Sequence, residues 1–200
     1  MEGQSKGTVR WWWVRHAPAR RAANEPLGFC GWSDPDADLS DDRALAVLRS
    51  ALPEEAAILS SDLARATQTA DAIARRNSKR LPPDRQLREQ SFGAWEGRPY
   101  DAPEMKEFWR NPALAAPPEG ESFAEMCDRV SRAIVSYNAG EENEIVAVAH
   151  AGSIRAALAY ALGLPPSEAL CFEIGPLSLT RIDWITDANA WRIGGVNVGL

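Results

Sequence analysis

Two histidines and three cysteines in 200 residues leave little material for a metal centre or a disulfide framework. Cys30, Cys127 and Cys171 are unevenly spaced and include no CxxC pair, which excludes the spacing of a zinc cluster and leads us to expect a reducing, cytoplasmic setting. Long hydrophobic runs are also missing. Nowhere do about 18 apolar residues follow one another, and no stretch of signal-peptide length precedes Arg10 and Arg15, so neither a membrane span nor export is expected. Positive charge is in deficit, with 22 Lys and Arg against 28 Asp and Glu for a formal charge of −6. That balance argues against the broad attraction that draws a protein to DNA, RNA or anionic lipid. A local basic pocket for an anion stays open, because nearby side chains and oriented N–H groups set the field inside a cleft.

What is present is ordinary globular material, 45% apolar and 25% charged, at a length that suits one domain over residues 1–200. Residues 8–14 are β-branched and aromatic and stop at Arg15-His16-Ala17-Pro18, which predicts a buried strand and then a loop. Ser40 can cap a helix with Asp41 and Asp42 in its first turn and Leu45, Leu48 and Leu52 on one face, with Pro53 near its end. Residues 56–60 predict a short strand, after which Ser61 or Asp62 can cap a helix through Leu63, Ala66, Ala70 and Ile73, with Arg65 in its first turn. Five prolines and several aromatics over residues 98–120 predict a partly helical excursion that walls a substrate site. Ser122 and Glu125 make a capping box for an amphipathic helix. Residues 144–149 predict a strand ending at His150, followed by a helix over 154–162 that Gly163 and Pro165 stop. The tail, 177–198, reads as two strands around a turn at 186–189. The fold class is therefore α/β, a mostly parallel sheet between layers of helices, with ligands expected beyond the carboxyl ends of the strands.

Both histidines fall at that edge, each directly after a buried strand. A neutral imidazole can attack phosphorus and later leave when protonated, so a histidine nucleophile divides one displacement into two easier steps. A second histidine can stabilise the charge. Transfer of a phosphoryl group is promoted mainly by positioning and electrostatics, and the planar fork of arginine suits three charged oxygens. Arg15 and Arg65 are the candidate clamps, aided by N–H groups where helices begin after Asp62 and His150, Ala151 among them. A leaving alkoxide needs a proton, and Glu89 and Glu96, in the glycine-punctuated passage 87–97, are the candidate donors. Trp32, Trp95 and Trp109 are placed to line the pocket, and the remaining tryptophans read as core rather than as a platform for bases.

Val14-Arg15-His16-Ala17, Ser60-Ser-Asp-Leu-Ala-Arg65 and Ala149-His150-Ala-Gly152 stand in the order found in the histidine phosphatase superfamily, which is phosphoglycerate mutase-like, and the chain resembles it from Val9 to about Arg181. The resemblance implies a phosphohistidine at His16, a phosphate pocket of Arg15, Arg65 and His150, and Glu89 rather than Glu96 as the general acid. It implies no metal and no organic cofactor. Phe92-Gly-Ala-Trp-Glu-Gly97 and the 178–183 tail look most like small phosphatases such as α-ribazole phosphatase. Three family positions differ: Ala17 replaces the usual Gly, and Ala19 and Ala22 replace a Ser or Thr and an Asn, so Asn24 or Arg20 is expected to complete the phosphate cradle. The function implied is a metal-independent hydrolase of a small phosphomonoester. A phosphoglycerate-type mutase and a non-catalytic phospho-ligand binding protein are the alternatives. The sequence does not specify an oligomeric state.

Overall fold

Side chains along a strand point alternately to the two faces of a sheet, and here both faces of the central strands are apolar. The structure, a computed structural model, describes residues 7–20 and 28–199. Among them β1 (Thr8–Arg15), β2 (Ala57–Ser60), β3 (Glu144–Ala149), β4 (Leu179–Ile185) and β5 (Ala190–Val198) form one sheet in the order β2-β3-β1-β4-β5. β2, β3 and β1 run parallel, and β4 and β5 add an antiparallel ribbon at one edge. Ile145, Ala147 and Ala149 of β3 join Trp11 and Trp13 under α3 (Phe123–Ala139) and α4 (Ala151–Leu162). Val146 and Val148 pack the other way, against α1 (Asp42–Ala51) and α2 (Ala64–Ile73). The result is the expected three-layer α/β sandwich.

The tryptophan triplet is framework. Trp11 and Trp13 stack with ring centroids 5.3 Å apart in the core, whereas Trp12 faces the other layer, beneath the Arg181 guanidinium and with its indole N–H donated to Glu144. The excursion at 98–120 contains two single 3₁₀ turns, Pro103–Met105 and Phe108–Arg110, and contributes Met105 and Phe108 to a small separate core with Phe29.

Three helix starts differ from the sequence reading. Asp41, not Ser40, caps α1: its carboxylate accepts from the Ala44 N–H at 2.9 Å, while Ser40 donates its own N–H to Asp38. α2 has neither Ser61 nor Asp62 as its cap. Asp34, thirty residues upstream, accepts from the Ala64 N–H at 2.5 Å, and Asp62 is taken up by a two-pronged pair with Arg88. α4 begins at Ala151, three residues earlier than predicted, so the residues just after His150 are already helical.

The capping box of α3 is formed as expected, the Ser122 hydroxyl accepting from the Glu125 N–H and the Glu125 carboxylate accepting from the Ser122 N–H. Ser122→Ala is expected to lower stability by about 1 kcal/mol. Urea unfolding checks this, and an unchanged midpoint would show that the cap contributes nothing.

Candidate active site

Parallel pairing of β1 with β3, Arg15 opposite Ala149, brings His16 and His150 to the same sheet edge one residue beyond each strand. The His16 N–H is donated to the Ala149 carbonyl at 3.0 Å, which locks the two strand ends together. The imidazoles meet edge to face with centroids 4.9 Å apart, His150 fully buried behind His16. In front lies a cleft of about 730 Å³, lined among others by Arg15, His16, Arg65 and Glu89.

The tautomer of His16 follows from its partners. Nδ1 lies 2.5 Å from the Ala17 carbonyl, and a carbonyl only accepts, so Nδ1 carries the proton and Nε2 keeps its lone pair. The Arg65 Nε–H points at that lone pair from 3.3 Å. Burial first, then the positive charges of Arg65 and Arg15, push the His16 pKa down to about 3, against an opposing contribution from the Ala17 carbonyl. His150 is lowered too, by burial, then by His16 and Arg65. Both rings are therefore neutral near neutral pH.

Arg65 is 1% exposed and donates its terminal nitrogens to the Ser33 and Gly31 carbonyls, each at 2.7 Å. Arg15 donates Nη1 to the Ile174 carbonyl at 2.6 Å. Its pKa is lowered by burial first, with Glu89 opposing and Arg155 adding to the shift. The Arg15 Nε and both His150 ring nitrogens are buried without a hydrogen-bond partner among the described residues. Leaving such groups unpaired costs on the order of 1–3 kcal/mol each, so an anion that accepts from the Arg15 Nε–H and the single N–H of neutral His150 is favoured.

Glu89 and Glu96 separate by geometry. The Glu89 carboxylate accepts from the Gly152 N–H at the start of α4, at 3.1 and 3.2 Å, and faces the cleft. Glu96 is used up as a clip, accepting from the N–H groups of Trp32, Ser33 and Phe92 and from the Ser33 hydroxyl. Arg129 of α3 secures the passage before Glu89 by donating to the carbonyls of Gln86, Arg88 and Glu89.

Other expectations divide. Trp109 lines the cleft, but Trp32 and Trp95 do not. Trp32 lies under the Arg88 guanidinium at 4.9 Å and donates its indole N–H to the Glu89 carbonyl; Trp95 packs edge-on against Phe108. Ala17 is buried at negative φ, where a methyl group is tolerated, and its N–H is donated to the Thr69 hydroxyl. Ala19 lines the cleft. Arg20 is exposed and is not among the residues that line the cleft, and Asn24 lies outside the described residues. Ala151 lines the cleft beside Gly152. The sequence reading missed Arg129 and Arg155. Arg155 stands one helical turn beyond Gly152 and lines the cleft, a position that i, i+3 spacing from the His-Ala-Gly turn could have flagged.

Two buried imidazoles at a strand edge among fixed arginines, with one carboxylate facing them, make an arrangement that can take up an anion in the cleft. Comparison with known proteins places the chain in a family: residues 11–198 match the model of the histidine phosphatase superfamily (branch 1), and the chain belongs to it. A glucosyl-3-phosphoglycerate phosphatase of Mycolicibacterium vanbaalenii is 36% identical over 147 residues, 65% of either chain. A protein named as a probable phosphoglycerate mutase in Yersinia enterocolitica is 33% identical over 146 residues, 69% of this chain and 66% of its own. The matched segment thus spans about two thirds of each of these curated relatives. Among solved structures, the mycobacterial glucosyl-3-phosphoglycerate phosphatase superposes with TM-score 0.79 at 26% identity, covering 96% of this chain and 99% of that one. The α-ribazole phosphatase of Shigella flexneri shares the fold, with TM-score 0.81 at 23% identity over 95% of this chain and 96% of that one. Among the described residues no helix is long and apolar enough to cross a membrane.

The depressed His16 pKa makes stability depend on pH. The folded value, about 3, lies below the ordinary 6.5, so on acidification the unfolded chain takes up the proton first. The contribution of His16 is fully present above about pH 6.5 and is lost as pH falls toward about 3. In urea unfolding, His16→Gln should flatten the loss between about pH 6 and 4 by up to about 1.4 kcal/mol per pH unit. Parallel slopes would show that the imidazole is not held neutral.

Proposed function

We propose that this protein is a phosphatase that hydrolyses a small phosphomonoester through a phosphohistidine at His16, without a metal or organic cofactor. The observation that carries this is the fixed tautomer of His16, whose Nε2 lone pair is held in the cleft beside Arg65. In the first step Nε2 attacks phosphorus, the bond to the ester oxygen breaks, and the Glu89 carboxyl group gives its proton to the leaving alkoxide. In the second, Glu89 takes a proton from water, the oxygen attacks phosphorus, and the N–P bond breaks to release inorganic phosphate and neutral His16. Arg15, Arg65 and His150 hold the charge on the transferring oxygens, with the Ala151 N–H at the start of α4 beside them and Asn24 available to complete the cradle.

The phosphatase names of relatives support hydrolysis. The mutase-named relative supports the alternative in which the phosphohistidine passes its group to a second hydroxyl, and a non-catalytic phospho-ligand protein would form no such bond. We infer a single working domain, with residues 98–120 as the wall of its site. A net charge of −6 disfavours a nucleic-acid partner, and Cys30, Cys127 and Cys171, in no disulfide among the described residues, suit the cytoplasm.

Phosphate release from a panel of phosphomonoesters, with chelator present, tests the reading. His16→Ala should abolish release and the acid-labile phosphate label; full activity in that variant removes His16 as nucleophile, and isomer formation without release points to the mutase. Glu89→Gln should cost about 10²- to 10⁴-fold on alkyl phosphates and less in the burst from an aryl phosphate, whose leaving group needs no proton.

Gly152→Ala offers an independent check, because a Cβ there would lie 2.1 Å from Glu89 Oε1. The variant should fold, since alanine favours helix, yet turn over more slowly as Glu89 is displaced. Unchanged kcat would show that this seat is not the one used in catalysis.

A further inference from the structure

Arg155 lines the cleft but takes no part in the reaction as proposed. Its Nε–H is donated to the Phe172 carbonyl at 2.8 Å, while Arg15 is anchored on the Ile174 carbonyl, two residues along the same segment. Two residues of extended chain span at most about 7 Å, so one stretch of backbone holds both guanidiniums side by side. The terminal nitrogens of Arg155 make no hydrogen bond with described residues, and the side chain is partly buried in the lining of the cleft that holds His16.

Charge decides what these nitrogens can take. When Glu89 carries the proton it is to donate, the charged groups lining the cleft are Arg15, Arg65 and Arg155, three positive charges beside a neutral His16. A phosphomonoester dianion offsets two. A carboxylate offsets the third and matches the planar fork of a guanidinium. A second phosphate dianion would bring one negative charge more than the described lining can balance. Phe29, Tyr100 and Trp109 line the same cleft, the tryptophan stacked on Phe29 with centroids 5.8 Å apart, a surface suited to the carbon skeleton between or beyond the two anions.

We infer that Arg155 is a specificity-determining residue that receives a carboxylate of the substrate, so that the preferred substrates are phosphomonoesters of hydroxy acids or of their conjugates. The inference rests on the reading of the cleft as a phosphate site, and its test does not need turnover. Calorimetry with the unmodified protein compares 3-phosphonopropionate with propylphosphonate, which has a methyl group in place of the carboxylate and, like it, a P–C bond that hydrolysis cannot break.

The carboxylated compound should bind about ten- to a hundredfold more tightly. In Arg155→Gln that ratio should fall toward one, and in Arg155→Lys it should lie between, since charge is kept and the fork is lost. A merely structural Arg155 would weaken both compounds together and leave the ratio intact, which overturns the inference; so does a ratio near one in the unmodified protein, or binding of neither compound. If esters are hydrolysed through His16 while the ratio is one, the phosphatase reading stands and this inference falls. If the ratio holds and His16 takes up no phosphate, the reverse is true.

Discussion

A guanidinium that is 1% exposed must be bonded by its surroundings, and the way Arg65 is bonded organises the site. Its three donor positions go to His16 Nε2, the Ser33 carbonyl and the Gly31 carbonyl. One side chain thereby ties the end of β1 to the loop at 31–34. That loop is held in turn by Glu96 and returns Asp34 to cap the helix on which Arg65 stands. The closure is circular: α2 starts where it does because the loop is in place, and the loop is in place because α2 presents Arg65.

The same burial sets the electrostatics. Two imidazoles behind two arginines in a region shielded from water cannot readily take protons, since each added charge would be poorly solvated and repelled. The availability of the Nε2 lone pair is thus a consequence of packing rather than of a nearby base. Glu89 is kept at the start of α4, where its carboxyl oxygens accept from the Gly152 N–H. Charge of each sign therefore has its own support, the arginines on loop carbonyls and the acid on a helix end.

Much of the framework was legible because its signals are local. Runs of β-branched, aromatic and small apolar residues marked β1 and β3, the Ser122 and Glu125 pair marked α3, and a histidine after each strand marked the sheet edge. The choice of Glu89 over Glu96 was available only through family resemblance, since both lie in one passage and the difference is made by Trp32, Ser33 and Gly152, distant in sequence. The cap of α2 was misplaced for the same reason: Asp34 is thirty residues away, and Arg88 competes successfully for Asp62. Trp32 and Trp95 belong to the right segments but turn to support the wall, because an indole N–H seeks a carbonyl and an indole face seeks a cation or another ring.

The wall obeys a different logic from the edge. Phe29, Met105 and Phe108, with Phe92, Trp95, Ala102 and Ala115 against them, form a core of their own, separate from the two clusters that sandwich the sheet. Changes there alter the shape of the cleft without disturbing β1, β3 or the imidazoles, whose positions depend on strand pairing and on Arg65. Arg155 lies on the edge side of this division, on α4 with Gly152. The carboxylate preference inferred for Arg155 would thus be set on α4, and the rest of the leaving group would fall to the aromatic lining of the cleft.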